Sequence, residues 1–400
     1  MRFKVLIYKA FKTRASGFEP RCRGFEDRRA RHLSRGLSQL RRHFIKHIAL
    51  NNAVTKHLRE NDKSADNYST MSQRREDAGT MKIALEEHFI TPALLDYCVK
   101  AMPAVSAEGK KGIIANLISF DDLRLDTMDK AGIDFSILGI SGPGVQAEHD
   151  AKLAIKLAKD ANDILAHEVS RKPNRYGGFA HLPMQAPKEA AAELERSIKE
   201  LGFFGSMVNG HTNGVYLDDP QYDIFWERME ALDVPLYLHP TDSFIKPYVL
   251  DGCDELVKCT WEWNFETSSH FLRLVYAGVF DRFPKLKIIL GHMGEMLPFE
   301  LWRLDSRTHL LEKTRPLKMA PSAYLKQNLY VTTSGQCDDA PLICSLLSLG
   351  ETHVLFSVDY PYENSSVAAQ WIDHAHISDI AREKICHLNA KELMKMSHIP

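Results

Sequence analysis

The chain has 400 residues, of which 44% are hydrophobic and 26% are charged, and its formal net charge is −1. This composition is ordinary for a globular enzyme, and the length suits one large α/β domain or two average ones. No apolar run approaches the ~20 residues needed to cross a bilayer, so neither a membrane-spanning segment nor a membrane partner is expected.

The first eighty residues differ in charge from the rest of the chain. Residues 1–80 carry 19 Lys and Arg against 8 Asp and Glu. Three interpretations are open: an extension produced by an upstream start codon, a disordered basic arm, and a targeting segment. The basic residues share no regular face, and the acids are too many for a transit peptide. We therefore expect a basic extension over 1–80 and a catalytic domain over 81–400.

Seven cysteines are scattered along the chain without C-x-x-C spacing: Cys22, Cys98, Cys253, Cys259, Cys337, Cys344 and Cys386. The pattern fits neither a zinc finger nor a disulfide framework. It indicates reduced thiols and hence a cytoplasmic protein.

From residue 81 onward, short apolar runs alternate with amphipathic helical patterns. The predicted strands are 83–89, 135–141, 176–183, 203–210, 234–240, 286–294, 329–335 and 354–361, and the predicted helices are 151–169, 187–200, 221–232, 264–280 and 338–349. Eight such units indicate a parallel sheet covered on both faces, and a (β/α)₈ TIM barrel is expected because it typically occupies ~250 residues before insertions. A doubly wound sheet is the rival, although no glycine-rich nucleotide fingerprint follows any strand. Residues 90–134 and 241–263 are the predicted insertions.

Ionisable residues stand at the carboxyl ends of four predicted strands. "KIALEEHF" places Glu86 and His88 on one strand face, "PLYLHP" ends in His239, "KIILGHMGE" reaches His292, and "VLFSVDYP" ends in Asp359. Barrel active sites lie at this rim, and burying such groups unpaired costs several kcal/mol. A single strand-end histidine is more often a hydrogen-bonded or half-exposed residue than a metal ligand, but the coincidence of four such strand ends predicts one metal centre. Imidazole and carboxylate ligands suit Zn²⁺ or Mn²⁺.

Residues 81–396 resemble the amidohydrolase superfamily, in particular its metal-dependent, non-oxidative aromatic decarboxylases. The γ-resorcylate and 2,3-dihydroxybenzoate decarboxylases belong to this branch, which is related to aminocarboxymuconate semialdehyde decarboxylase. The motifs that carry the resemblance are "KIALEEHF", "LDVPLYLHP", "GVFDRFPKLKIILGHMGEMLPFELWRLDSR", "LYVTTSG" and "LFSVDYPYEN".

The resemblance implies roles for individual residues. It assigns the metal ligands to Glu86, His88, His239 and Asp359. It places His292 against the substrate with Glu295 hydrogen-bonded to it. It also places Arg303 in the following helix, where the arginine pairs either with the substrate carboxylate or merely with a neighbouring acid.

Two reactions are compatible with such a centre. In a decarboxylase, the metal would hold the substrate carboxylate and its ortho oxygen, while Asp359 protonates the ring carbon that loses CO₂. In a hydrolase, the metal would activate water for attack on an amide or lactone. The Glu-x-His motif and the absence of a candidate carboxylated lysine favour the decarboxylase of an ortho-hydroxylated benzoate. A non-catalytic metal-binding module is a third hypothesis, disfavoured by the intact His292–Glu295 pair.

The sequence also suggests substrate contacts and an assembly state. Trp263, with Trp261, Phe265 and Phe89, is expected either to form a slot for a flat ring or to pack on the barrel rim. His181, near the end of the third strand, is a further candidate contact. We expect a small aromatic carboxylate as partner and no nucleic acid. Apolar surface on helices 264–280 and 296–310 suits a homodimer or homotetramer.

Overall fold

The computed structural model describes residues 79–312 and 315–397. The extension predicted for residues 1–80 therefore lies almost entirely outside the described residues. Within the described part of the chain, no helix is long and apolar enough to cross a membrane.

Eight parallel strands stand side by side in sequence order. They are β1 Ile83–Phe89, β2 Phe135–Ile140, β3 Tyr176–His181, β4 Gly205–Asn209, β5 Leu236–His239, β6 Ile288–Leu290, β7 Leu329–Thr332 and β8 Val354–Leu355. The segment after β8 meets β1 through a parallel bridge between Glu87 and Tyr360, where His88 N donates to Tyr360 O at 2.7 Å. The predicted (β/α)₈ barrel is confirmed.

Helices cover the outside of the barrel. They are α1 Leu95–Lys100, α2 Ala107–Ile118, α3 Asp122–Ala131, α4 Ala151–Arg171, α5 Pro187–Lys199, α6 Asp223–Leu232, α7 Glu262–Tyr276, α8 Val279–Arg282, α9 Leu297–Thr308, α10 Pro321–Asn328, α11 Asp339–Leu349, α12 Ser365–His374, α13 Asp379–Glu383 and α14 Asn389–Leu393. The insertion at 90–134 contains α1, α2 and α3, whereas 241–263 contains short 3₁₀ turns and the first two residues of α7.

Two strands are much shorter than predicted. The run 286–294 is extended only over Ile288–Leu290, and the run 354–361 only over Val354–Leu355. In both cases the chain leaves the sheet to make a turn that carries polar residues, with φ of +50° at His292 and +80° at Asp359. The apolar runs continue beyond the strands because the turns are also buried.

Side chains alternate between two apolar layers. Ile83, Leu85 and Tyr237 belong to the cluster inside the barrel, whereas Ala84 and Leu238 belong to the layer between strands and helices. This alternation follows from the two-residue period of a strand. It determines which strand-end residues face the barrel axis.

Candidate active site

A β-bulge in β1 directs Glu86 toward the barrel interior. The pairing of β1 with β2 shifts register between Ala84 and Glu87, so that Leu85 faces inward and Glu86 does as well. The Ser357 hydroxyl accepts hydrogen bonds from the backbone N–H groups of Leu85 at 3.1 Å and Glu86 at 2.6 Å. The bulge is therefore held by a side chain that follows β8.

The two oxygens of the Glu86 carboxylate have different surroundings. Oε2 accepts hydrogen bonds from the hydroxyls of Tyr237 and Ser334. Oε1 is buried without a hydrogen-bond partner in the described residues, and lies 3.5 Å from Nε2 of His239 and 4.0 Å from Nε2 of His88. An anionic oxygen left bare between two imidazoles is the arrangement expected of a metal ligand.

The two histidines offer nitrogen atoms to the same point. His239 donates its Nδ1 proton to the carbonyl of Pro240 at 2.8 Å, which leaves the Nε2 lone pair free for a cation. The rings of His88 and His239 meet edge to face with centroids 4.9 Å apart. Ligand atoms of Glu86, His88 and His239 all lie within 4.8 Å of one another.

Asp359 extends this group from the turn after β8. Its Oδ1 lies 3.1 Å from His88 Nε2, and its Oδ2 lies 3.7 Å from His292 Nε2. The donor set of two imidazoles and two carboxylates fits a divalent cation such as Zn²⁺ or Mn²⁺. The structure thus brings all four predicted ligands together at the carboxyl rim of the barrel.

Burial and charge shift the pKa values in this cluster. Burial raises the pKa of Glu86 and lowers that of His239 to about 3. Burial alone would raise the pKa of Asp359, but hydrogen bonding with His292 and His88 lowers it to about 2. Burial alone would lower the pKa of His292, but the charges of Glu295 and Glu86 raise it well above its usual value. These shifts favour a protonated His292 beside an ionised Asp359.

His292 is oriented by a turn with unusual backbone angles. Its Nδ1 is 2.8 Å from Oε1 of Glu295. His292, Met293 and Glu295 all have positive φ, at +50°, +57° and +58°. Such conformations cost about 1–3 kcal/mol per residue and are concentrated at functional sites. The turn presents the imidazole to Asp359 with its other nitrogen held by a carboxylate.

Two predicted substrate contacts are not at this centre. Phe89 is 1% exposed and belongs to the outer apolar layer, where its ring lies 5.4 Å from that of Phe120. Its proposed place in an aromatic slot is therefore wrong, because strand alternation turns it away from His88. Arg303 is exposed on α9, and its guanidinium forms no ion pair among the described residues. Its pairing with substrate stays a prediction.

Two other predicted contacts lie near the centre. The Trp263 ring is 6.2 Å from that of His239, and its Nε1 donates to Asp242 at 2.8 Å. His181 is 2% exposed, and its Nε2 accepts a hydrogen bond from Val145 N at 2.9 Å. Trp263 can border a ligand, whereas His181 uses its Nε2 to hold a neighbouring turn.

Sequence reasoning missed several residues of the site. Asn209 ends β4 beside His239, is 1% exposed, and has no hydrogen-bond partner for either side-chain polar atom in the described residues. Tyr237 and Ser334 hold Glu86. A signal existed for two of them, since Asn209 is a polar strand end and Tyr237 shares the inward face with His239.

The fold and the site define a class of protein. A (β/α)₈ barrel with Glu, His and Asp side chains converging at its carboxyl rim is a metal-dependent barrel enzyme. The amidohydrolase family model matches residues 116–395, and the chain belongs to the amidohydrolase family.

Similar proteins share most of this chain. It is 42% identical over 325 residues to the γ-resorcylate decarboxylase of Polaromonas sp., covering 79% of this chain and 99% of that protein. A dihydroxybenzoic acid decarboxylase from Polaromonas sp., solved with manganese and the inhibitor 2-nitroresorcinol, is 42% identical with a TM-score of 0.76, covering 80% and 98% of the two chains. A 2,6-dihydroxybenzoate decarboxylase complexed with 2,6-dihydroxybenzoate is 40% identical with a TM-score of 0.75, covering 79% and 100%.

Proposed function

We propose that the protein is a metal-dependent, non-oxidative decarboxylase that removes CO₂ from an ortho-hydroxylated benzoate such as a dihydroxybenzoate. The observation that carries the proposal is the convergence of Glu86, His88, His239 and Asp359 beside His292. The similarity to decarboxylases over the whole barrel favours this reaction over hydrolysis. The substrate is a small aromatic carboxylate.

Glu86, His88, His239 and Asp359 would hold one divalent ion. When bound, the ion supplies Lewis acidity that draws the anionic groups of the substrate into the site. Mn²⁺ is supported by the manganese in the similar decarboxylase, and Zn²⁺ by the ligand chemistry. The remaining chemistry belongs to side chains of the chain itself.

Asp359 and His292 together move the proton that the reaction consumes. Replacing a carboxylate on a ring by hydrogen requires one proton at the ring carbon. The low pKa of Asp359, near 2, leaves it ionised in the free enzyme, while His292 holds a proton 3.7 Å away. In our proposal, His292 passes its proton to Asp359, Asp359 delivers it to the carbon, and solvent reprotonates His292. Glu295 holds the imidazole in place throughout.

Two side chains beside the proposed ligands would orient the ring. Trp263 offers an aromatic face close to His239, and Asn209 offers an amide with no partner in the described residues. A flat ring bordered by Trp263 would present its polar substituents to Asn209 and His292. His181 supports the neighbouring turn at Val145.

The experiment that tests the function measures metal content and product formation together. Purified protein, loaded with Mn²⁺ or Zn²⁺, is offered a panel of ortho-hydroxybenzoates and lactones, and CO₂ release is scored against ring opening. His239→Ala should lose both the metal and turnover. His292→Ala should keep the metal and lose turnover, because it removes the proton source without removing a ligand.

A matched control is available on the surface. His374 is an exposed histidine on α12, and His374→Ala should change neither metal content nor turnover. Lactone opening without CO₂ release would refute the decarboxylase. A fully active His292→Ala variant would refute the role given to that residue.

We further propose that the protein assembles as a homodimer or homotetramer. Two large apolar side chains on α9, Phe299 and Trp302, are 82% and 84% exposed. Covering such surfaces is favourable, and contiguous apolar patches mark interaction sites. Light scattering should give a multiple of the chain mass, and Trp302→Glu should shift it toward the monomer; a monomeric wild type would refute the assembly.

A cytoplasmic location is also proposed. The six cysteines of the described residues are all unpaired, as expected in a reducing compartment. Fractionation of cells that express the protein should place it with cytoplasmic markers, and recovery with secreted or organelle markers would contradict the proposal.

A further inference from the structure

Two ionisable side chains, Arg124 and Glu87, are buried behind β1. Arg124, on α3, is 1% exposed, and Glu87 is 3% exposed. Glu87 alternates with the ligands Glu86 and His88 and so points to the opposite face of the strand. Burying ionisable groups is costly unless polar groups compensate, so their presence behind the ligand-bearing strand calls for an explanation.

Arg124 binds the backbone of a metal ligand. Its Nη2 donates to the carbonyl of His88, and its Nε donates to the carbonyl of Ser119 at 2.9 Å. The centre of its guanidinium lies 4.6 Å from the centroid of the Tyr360 ring, which directly follows Asp359 in the chain. The planar guanidinium of Arg124 thus contacts both β1, which carries Glu86 and His88, and the segment after β8, which carries Asp359.

Glu87, a residue of β1, forms hydrogen bonds with the segment that follows β8. Its Oε1 accepts hydrogen bonds from Val358 N at 3.1 Å and from the Ser357 hydroxyl at 3.2 Å, immediately before Asp359. The Ser357 oxygen in turn accepts from Glu86 N at 2.6 Å. Among the described residues, the strand pairing between these two segments is the isolated bridge between Glu87 and Tyr360, and the side-chain hydrogen bonds add to that connection.

We propose that Arg124 and Glu87 are positioning residues that fix the segments carrying Glu86, His88 and Asp359 and thereby set the affinity of the site for its divalent metal. The inference rests on the proposed metal centre. Arg124 acts through the His88 carbonyl, and Glu87 lies on the face of β1 opposite the proposed ligands. Residues that support metal ligands in this way typically contribute 10–100-fold to metal affinity.

The test is a titration of metal-free protein with Mn²⁺, followed by the electron paramagnetic resonance signal of the ion. Arg124→Lys keeps the charge but loses the planar guanidinium that donates to the carbonyls of His88 and Ser119 and lies over the Tyr360 ring. The variant should weaken Mn²⁺ binding about 10–100-fold. The matched control is Arg382→Lys. Arg382 on α13 also donates to two backbone carbonyls, those of Ile372 and Ala375, away from any ligand. The control variant should bind Mn²⁺ like the wild type.

A second variant covers the case in which Arg124→Lys does not fold. Glu87→Met keeps the length of the side chain but loses the oxygen that accepts hydrogen bonds from Val358 N and the Ser357 hydroxyl, and it should weaken Mn²⁺ binding about tenfold and alter the spectrum of the bound ion. Wild-type protein that binds Mn²⁺ and releases CO₂, with folded variants that bind within about twofold of it, would overturn this inference alone. Wild-type protein that binds no Mn²⁺ would instead overturn the metal centre itself.

Discussion

Gly291 lies where the backbone passes closest to the Glu86 carboxylate. A Cβ built on Gly291 would lie 2.6 Å from Glu86 Oε2, 3.1 Å from Ser334 Oγ and 3.2 Å from the Tyr237 hydroxyl. The backbone of Gly291, with φ −68° and ψ −175°, is open to any residue, so only contact is at issue. Gly291→Ala therefore tests whether the position of this carboxylate matters, without adding backbone strain.

The magnitude of the Gly291→Ala effect follows from the packing. The carboxylate must move by several tenths of an ångström against two hydrogen bonds, and overpacking of this kind costs about 1–3 kcal/mol of unfolding free energy. Because the moved group is a proposed ligand, Mn²⁺ affinity should fall about 10–100-fold as well.

Urea unfolding of the metal-free protein and Mn²⁺ titration measure the two effects of Gly291→Ala separately. Gly112→Ala is the control, since nothing lies within 4 Å of a Cβ at that exposed helical position. The reasoning is refuted if Gly291→Ala binds Mn²⁺ as tightly as wild type.

Three further predictions concern the surroundings of the site. Tyr237→Phe removes one of the two hydroxyls that donate hydrogen bonds to Glu86. It should lower the unfolding free energy by about 1.5–3 kcal/mol and weaken Mn²⁺ binding, and urea and Mn²⁺ titration curves unchanged from those of the wild type would contradict this. Burial raises the pKa of Glu266 from 4.5 to about 7, so the wild type should lose about 3 kcal/mol of stability as pH rises through that window. Glu266→Gln should abolish this loss in urea titrations at pH 4.5 to 8, and a pH-independent difference between the two proteins would contradict it. Gly144 has φ +56°, and a Cβ built on it would lie 2.5 Å from Cε1 of His181. Gly144→Ala should therefore lower the melting temperature by several degrees, and an unchanged melting curve would contradict this packing argument.

The strand ends explain why much of the site could be predicted from sequence. A strand fixes the direction of each side chain by its two-residue period, and a barrel brings all carboxyl ends to one rim. These two rules place His88 and His239 together, whereas Glu86 also needs the bulge in β1 and Asp359 the turn after β8. The ranges of β1 and α4 follow from equally simple alternation and helical periodicity.

Features that depend on irregular backbone were out of reach. Nothing in the sequence announces the bulge that turns both Leu85 and Glu86 inward, or the buried Ser357 that holds it. The slot proposed for Phe89 failed for a related reason, since aromatic residues near a site in sequence can face the outer layer. Arg124 and Glu87 look like surface charges in a helix and a strand until the packing is known.

The proton balance of the site distinguishes the two reactions that its ligands allow. Hydrolysis needs a base that accepts a proton from water, and an ionised aspartate alone would suffice. Decarboxylation consumes a proton, so the site must store one close to the reacting carbon. In our proposal, His292, whose pKa is raised by Glu295 and Glu86 and whose Nε2 lies 3.7 Å from Asp359, stores that proton. The strained turn that carries His292 and Glu295 is therefore more informative about the reaction than the four ligands.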